Sequence, residues 1–406
     1  MNVILAASVE HAEILLALFV ILASAKIMGE IFERLRQPAV VGEILAGVLI
    51  GPSLLGWVTP STVISVLAEV GVIFLLFNVG LETKPQSIIR VGRKALLVGV
   101  SGIVLPFVAG YYVSVLWGGS TIESMFIGAA LVATSVGITA RVLGSLGLLD
   151  TDAARIILGA AVIDDILGLM ILSVVSGISK GDVNYLRLAG TTSTAIIFIV
   201  GVSVLGAVLV TRLAPKINKL RIGKPFFNFG LIICLGLSVA AMYMQVAAII
   251  GAFVAGMALS ESTEENPKMR KLTNGVTEFL VPFFLVNIGM QLNLEIFRDW
   301  SVVMFALLIT FVAVLTKFIG CGLGAWGEGL QKSAQVGAGM VPRGEVGIVV
   351  AQIGLGLSVI NDQYFGAVLF MAIATTLIAP PFIKILFTAG DPDEDIHLSD
   401  IFSRIG

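Results

Sequence analysis

Phe74-Leu75-Leu76-Phe77-Asn78-Val79-Gly80-Leu81 returns 209 positions downstream as Phe283-Phe284-Leu285-Val286-Asn287-Ile288-Gly289-Met290. The same shift carries Gly42 and Gly47 onto Gly251 and Gly256. With one further residue of shift, Ser135-Val136-Gly137-Ile138 falls on Glu345-Val346-Gly347-Ile348, and Gly144 on Gly354. One such match among glycine-rich apolar helices is chance, whereas a nearly constant shift over three segments marks a duplicated unit. Asn78 and Asn287 stand out as polar positions related by that duplication.

The surrounding chain has 406 residues, 57% of them hydrophobic and 13% charged, with a mean hydropathy of +1.02. That composition excludes an ordinary soluble domain and a disordered chain. Lys+Arg (25) and Asp+Glu (27) nearly cancel, which argues against nucleic acid as a partner. Cys234 and Cys321 lie in apolar runs and His11 and His397 at opposite ends, so neither a disulfide framework nor a zinc cluster is expected. No Walker sequence is present, so ATP hydrolysis is not the expected energy source, and no cofactor is implied.

A helix needs about 20 apolar residues to cross the hydrocarbon core. Thirteen such runs fall near 10–29, 39–57, 63–81, 94–117, 124–145, 154–178, 189–212, 226–243, 247–261, 273–292, 301–326, 334–357 and 363–389. The second run matches the ninth, the third the tenth and the fifth the twelfth. Seven spans separate each pair; because seven is odd, the two halves are inverted. The expected fold is an all-α polytopic membrane protein with 13 transmembrane helices, two inverted six-helix repeats and a connecting seventh span. Loop charge sets the orientation. Lys180, Arg187 and Arg298 lie on one face, against clusters such as Arg90, Arg93 and Lys94, or Lys268, Arg270 and Lys271, on the other. This places the N-terminus outside and the C-terminus in the cytoplasm.

Ionisable side chains inside spans are costly and therefore candidates for function. Glu43, Asp164, Asp165, Lys317, Arg343 and Glu345 qualify, while Arg141 lies near a span end and is read as snorkelling to the interface. Asp164 and Asp165 fall mid-span in Val162-Ile163-Asp164-Asp165. Adjacent residues on a helix point about 100° apart, so one carboxylate can meet a partner helix while the other faces a water-filled cavity. Two carboxylates this close in a low-dielectric setting repel each other, and the pair as a unit can exchange a proton for a cation. Lys317, mid-span in the second repeat, is the natural cationic partner for one of them. Gly337, Gly339, Pro342, Gly344 and Gly347 in the twelfth run, and Thr134, Ser135, Gly137 and Thr139 in the fifth, read as two broken helices. Ser135 and Gly339 are expected to approach each other where the two cross. Na+ wants oxygen ligands, which Asp165, Asp164 and Thr134 offer, with Ser135 beside them. Arg343 and Glu345 are expected to hold the crossing together, with Glu43 as a candidate partner of Arg343.

The run Ala133-Thr134-Ser135-Val136-Gly137-Ile138-Thr139-Ala140-Arg141, the Asp164-Asp165 pair and Val341-Pro342-Arg343-Gly344-Glu345 resemble the monovalent cation:proton antiporter-2 family, and within it the bacterial NapA-type sodium/proton antiporters. The resemblance implies a NapA/NhaA-like fold with crossing broken helices and an electrogenic exchange of Na+ or Li+ for protons. Asp165 would bind the ion, and Asp164 would pair with Lys317. It further implies a homodimer in a bacterial cytoplasmic membrane, serving pH and salt homeostasis. The implied division is a dimerisation domain (1–93 and 225–299), a core ion-transport domain (94–186 and 300–389) that slides as an elevator, a linker helix (187–224) and an acidic cytoplasmic tail (390–406). An electroneutral Na+/H+ or K+/H+ antiporter and a sodium-coupled organic-solute symporter remain the alternatives. An intramembrane aspartyl protease would need its two acids on different helices, so no enzyme activity is expected.

Overall fold

The computed structural model describes residues 2–35, 37–83, 85–180, 223–244, 246–264, 267–292 and 294–388, with a few positions between 190 and 202. The expected seventh span and the acidic tail lie outside the described residues. The described secondary structure is helical: α1 (Asn2–Arg34), α2 (Ala39–Ile50), α3 (Thr62–Glu82), α4 (Pro85–Leu116), α5 (Thr121–Val132), α6 (Val136–Ser145) and α7 (Asp152–Lys180). After the gap come α8 (Pro225–Tyr243), α9 (Ala248–Glu264), α10 (Pro267–Met290), α11 (Trp300–Gly324), α12 (Leu330–Gly339), α13 (Glu345–Gly356) and α14 (Asp362–Thr388).

Local chemistry sets many of the boundaries. Ser61 caps α3 by accepting the Ile64 N–H, Ser120 and Glu123 form a capping box on α5, and Asp299 accepts the Ser301 N–H at the start of α11. The second apolar run was expected to reach residue 57, but its helix stops at Ile50. Gly51 caps it in an extended conformation and Pro52 follows, whose ring cannot continue a helix.

Among the described residues nine helical stretches are long and apolar enough to cross a membrane, with the α5–α6 stretch taken as one, and three shorter apolar helices accompany them. Large side chains such as Leu15, Phe19, Leu97, Leu307 and Phe311 are exposed on the outside of the bundle. That is the surface expected of a protein whose solvent is lipid, with backbone polar groups satisfied within helices.

The contacts repeat with the shift seen in the sequence. A side chain at Gly47 would strike the carbonyl oxygen of Val286 and lie 3.0 Å from Gly289 Cα, so α2 and α10 touch backbone to backbone. Adding 209 gives the mirror contact, in which Gly256 of α9 meets the carbonyl of Phe77 and Gly80 of α3. Gly42 against the Met28 carbonyl likewise corresponds to Gly251 against the Leu237 carbonyl, and Gly71 meets its own mate, Leu280. Small residues at such crossings permit the close approach that replaces hydrophobic driving force in lipid.

Two helix groups result. The α3 helix packs chiefly on α9 and α10, α1 on α2, α2 on α10, and α8 on α9; α4 packs on α5, α7 and α11, and α14 on α11, α12 and α13. Among the described residues, sparse contacts, chiefly of α6 with α3 and of α14 with α2, join the groups.

Candidate functional site

Two helices break at mid-bundle. The fifth run separates into α5 and α6 at Ala133-Thr134-Ser135, and the twelfth into α12 and α13 at Met340 to Gly344. The breaks lie against each other. The Ser135 N–H donates to the Pro342 carbonyl (2.7 Å), the Thr139 hydroxyl donates to the Gly339 carbonyl (2.6 Å), and Ser135 packs on Gly344. Each break leaves backbone carbonyls without helical partners in a place where water is scarce.

Two cations gather at the first break, where α5 ends. Arg343 is fully buried, and its guanidinium donates to the carbonyls of Val132 (3.0 Å), Ala133 (3.0 Å) and Ala313 (3.1 Å). Thr375 accepts the Arg343 N–H and Thr376 donates to its carbonyl, so α14 fixes the backbone of the second break. Lys317 on α11, also fully buried, donates to the Val132 carbonyl (2.7 Å) and to both Asp164 oxygens (2.9 and 3.1 Å). An ammonium has three donors, and here each has an acceptor. Positive charge at the C-terminal end of α5 also complements the helix dipole.

Asp164 and Asp165 diverge as adjacent helical residues must. Asp164 turns inward to Lys317, while Asp165, 7% exposed, lines a gap of about 10 Å³ with Leu76, Val136, Ile249 and Phe253. That gap is the joint between the two helix groups. The Thr134 hydroxyl oxygen is buried beside the break with no hydrogen-bond partner among the described residues. Two larger cavities approach the joint from opposite ends of α3, one of about 470 Å³ that includes Asn78 and Arg141, the other of about 310 Å³ that includes Asn287 and Arg343. Asp165 lines neither of these two.

Glu43 is not brought to Arg343. It is buried on α2, with one carboxylate oxygen that has no hydrogen-bond partner among the described residues. The guanidinium of Arg343 instead goes to carbonyls, because a broken helix presents acceptors closer than any carboxylate on α2. Arg141, expected at the interface, is half-buried against a cavity. Of Glu345, the structure describes the backbone position at the start of α13. Nothing in the sequence assigns Thr375 and Thr376 a role, since a Thr-Thr pair in an apolar run carries no signal of what it bonds. Among the described residues no group of three or more His, Cys, Asp or Glu could hold a resident metal, and both cysteines are free and buried.

The family profile for the transmembrane sodium/hydrogen exchanger matches residues 15–389. The chain is 37% identical over 374 residues to the Na(+)/H(+)-K(+) antiporter GerN of Bacillus cereus, covering 91% of this chain and 95% of that one. It is 32% identical to the high-affinity Na(+)/H(+) antiporter NhaS3 of Synechocystis, covering 94% and 92%. Its fold is similar to that of the sodium proton antiporter MjNhaP1 from Methanocaldococcus jannaschii, with a TM-score of 0.67 at 16% identity over 93% of this chain and 98% of the other. The chain belongs to the sodium/hydrogen exchanger family, and is an integral membrane transporter and not an enzyme.

Proposed function

We propose that the chain exchanges Na+ or Li+ for protons, with Asp165 as the carboxylate that binds the ion and the proton in turn. The observation that carries the reading is the divergence of the two acids: Asp164 is fully engaged by Lys317, while Asp165 faces the joint between the helix groups. A cation arriving at the joint meets the Asp165 carboxylate and the Thr134 hydroxyl, hard oxygens suited to Na+. The cation displaces the Asp165 proton, and on the other face of the membrane a proton displaces the cation.

Alternating access follows from the two helix groups. The group of α4–α7 and α11–α14 carries both acids and Lys317 and slides against the group of α1–α3 and α8–α10, opening Asp165 first to one cavity and then to the other. Sparse contacts between the groups, beside dense contacts within each, support this elevator. Thirteen spans in inverted repeats, a homodimer, a NapA-type subgroup, a bacterial cytoplasmic membrane and an outside N-terminus complete the reading. The Asp-Asp-Lys set favours the electrogenic class by resemblance, and its signature is a response to voltage, one uncompensated charge coupling to about 2.3 kcal/mol per 100 mV.

A second reading, K+/H+ exchange, is favoured by the likeness to GerN, a Na(+)/H(+)-K(+) antiporter. One experiment separates them: purified protein in proteoliposomes with an internal pH dye, given Na+, Li+ or K+ in turn at two clamped potentials. Proton movement with Na+ or Li+ that shifts with voltage is expected. Movement with K+ alone favours the second reading, voltage-independent movement the electroneutral class, and no movement with any cation removes the antiport assignment.

A further inference from the structure

The α3–α10 pair supplies four polar positions to each large cavity that are repeat mates of one another, and to one cavity also Thr277, whose mate in the other is Ala68. Ser65, Glu69, Asn287 and Gln291 line the 310 Å³ cavity. Asn274, Glu278, Asn78 and Glu82 line the 470 Å³ cavity. The 209-residue shift carries Ser65 to Asn274, Glu69 to Glu278, Asn78 to Asn287 and Glu82 to Gln291. The apolar walls obey the same rule, Ala39 and Val40 of one cavity corresponding to Ala248 and Ile249 of the other. Each cavity thus receives a carboxylate from one of these helices and an amide from its repeat mate.

Their placement is that of two mouths. α3 has 21 residues, about 31 Å at 1.5 Å per residue. The first cavity takes α3 residues from its C-terminal half and the second from its N-terminal half, so they lie at opposite ends of the bundle. An independent feature points to what the 470 Å³ cavity takes. The side-chain oxygens of Asn78 and Asn274 are both buried with no hydrogen-bond partner among the described residues. Unsatisfied buried acceptors are unusual in a folded protein. Two neutral oxygens behind a carboxylate form a surface for a hard cation. Two of the other charges around the cavities are committed. Arg270 donates to Glu82 (2.9 Å), and the terminal nitrogens of Arg343 donate to carbonyls. Arg141, Glu33 and Lys384 complete the charged lining of the larger cavity.

We infer that Glu278 and Glu69 are repeat-paired capture carboxylates, each drawing a hydrated monovalent cation into its own vestibule on opposite faces of the membrane. This rests on the antiport reading above. Among these mates, the pair unlike in charge makes the vestibules inequivalent: Glu82, held by Arg270, stands opposite neutral Gln291. An exposed carboxylate at a mouth concentrates cations by its field and is screened by salt.

The test uses everted and right-side-out vesicles from a host lacking its own Na+/H+ exchange, assayed for initial proton flux against Na+ concentration. At about 10 mM ionic strength the Debye length is near 30 Å, long enough for the field to act. Glu278→Gln is expected to raise the half-saturating Na+ concentration about threefold or more in one vesicle orientation, and Glu69→Gln in the other. Aspartate at either position restores the wild-type value, and the shifts collapse in concentrated choline chloride. Glu30→Gln, at an exposed carboxylate paired with Arg34 outside both cavities, moves neither. A shift on both faces, on the same face for both variants, or on neither overturns the inference while leaving the antiport reading intact. A wild-type protein that exchanges no cation in either orientation removes the antiport reading, and this inference with it.

Discussion

Lys317 is the residue on which the site turns, since burying an ammonium is tolerable only while every donor is met. Asp164 pairs with Lys317, and Lys317 and Arg343 both donate to the Val132 carbonyl, so the three form one unit around the end of α5. Lys317→Ala leaves a buried carboxylate without its ion pair and is expected to cost about 3 to 5 kcal/mol. The loss is readable as a lower Tm in detergent, together with an altered voltage dependence of exchange; a variant unchanged on both counts rules out the pair. Asp165→Asn is nearly isosteric and leaves both partners of the Asp164–Lys317 pair in place. Exchange should vanish while Tm stays within a few degrees of wild type, and retained Na+/H+ activity would reassign the ion site. Arg343→Ala removes the guanidinium from the carbonyls of Val132, Ala133 and Ala313, of which Val132 keeps Lys317 as a donor, and should destabilise to an extent comparable with Lys317→Ala, which a thermal melt of the two variants side by side would show.

At the scale of helices, the crossings depend on glycine, because the carbonyl of the partner helix occupies the place of a side chain. Gly47 and Gly256 make mirror contacts with Val286 and Phe77. Alanine at either position should therefore destabilise by similar amounts, about 1 to 3 kcal/mol as for other overpacked sites. Melting curves of the two variants test this, and a large inequality would mean that the two halves do not share their packing. Glycines with open surroundings, such as Gly92 or Gly236, should tolerate alanine without loss.

For the whole molecule, the proposed motion makes a demand on the few contacts between helix groups. Val72 of α3 meets Gly137 of α6 there, a Cβ at Gly137 lying 3.0 Å from the Val72 methyl. Cysteines at 72 and 137, with Cys234 and Cys321 replaced by alanine, fall within disulfide range. Oxidation should arrest exchange and reduction restore it; exchange that persists through the cross-link would argue against sliding at this joint.

Much of the architecture was legible in one dimension, since membrane insertion demands long apolar runs, and an inverted duplication leaves the same glycines at a fixed shift. The acids and Lys317 were legible for a related reason: lipid makes each buried charge conspicuous. Their partners were not. That Arg343 serves carbonyls and not Glu43, that Arg141 turns into a cavity, and that Thr375 and Thr376 brace the second break depend on backbone groups freed by the helix breaks, and carbonyls look alike in any sequence. Periodicity and composition report what a residue costs in lipid; only the tertiary structure decides which neighbour repays that cost, because the geometry of a hydrogen bond is set by how the helices cross.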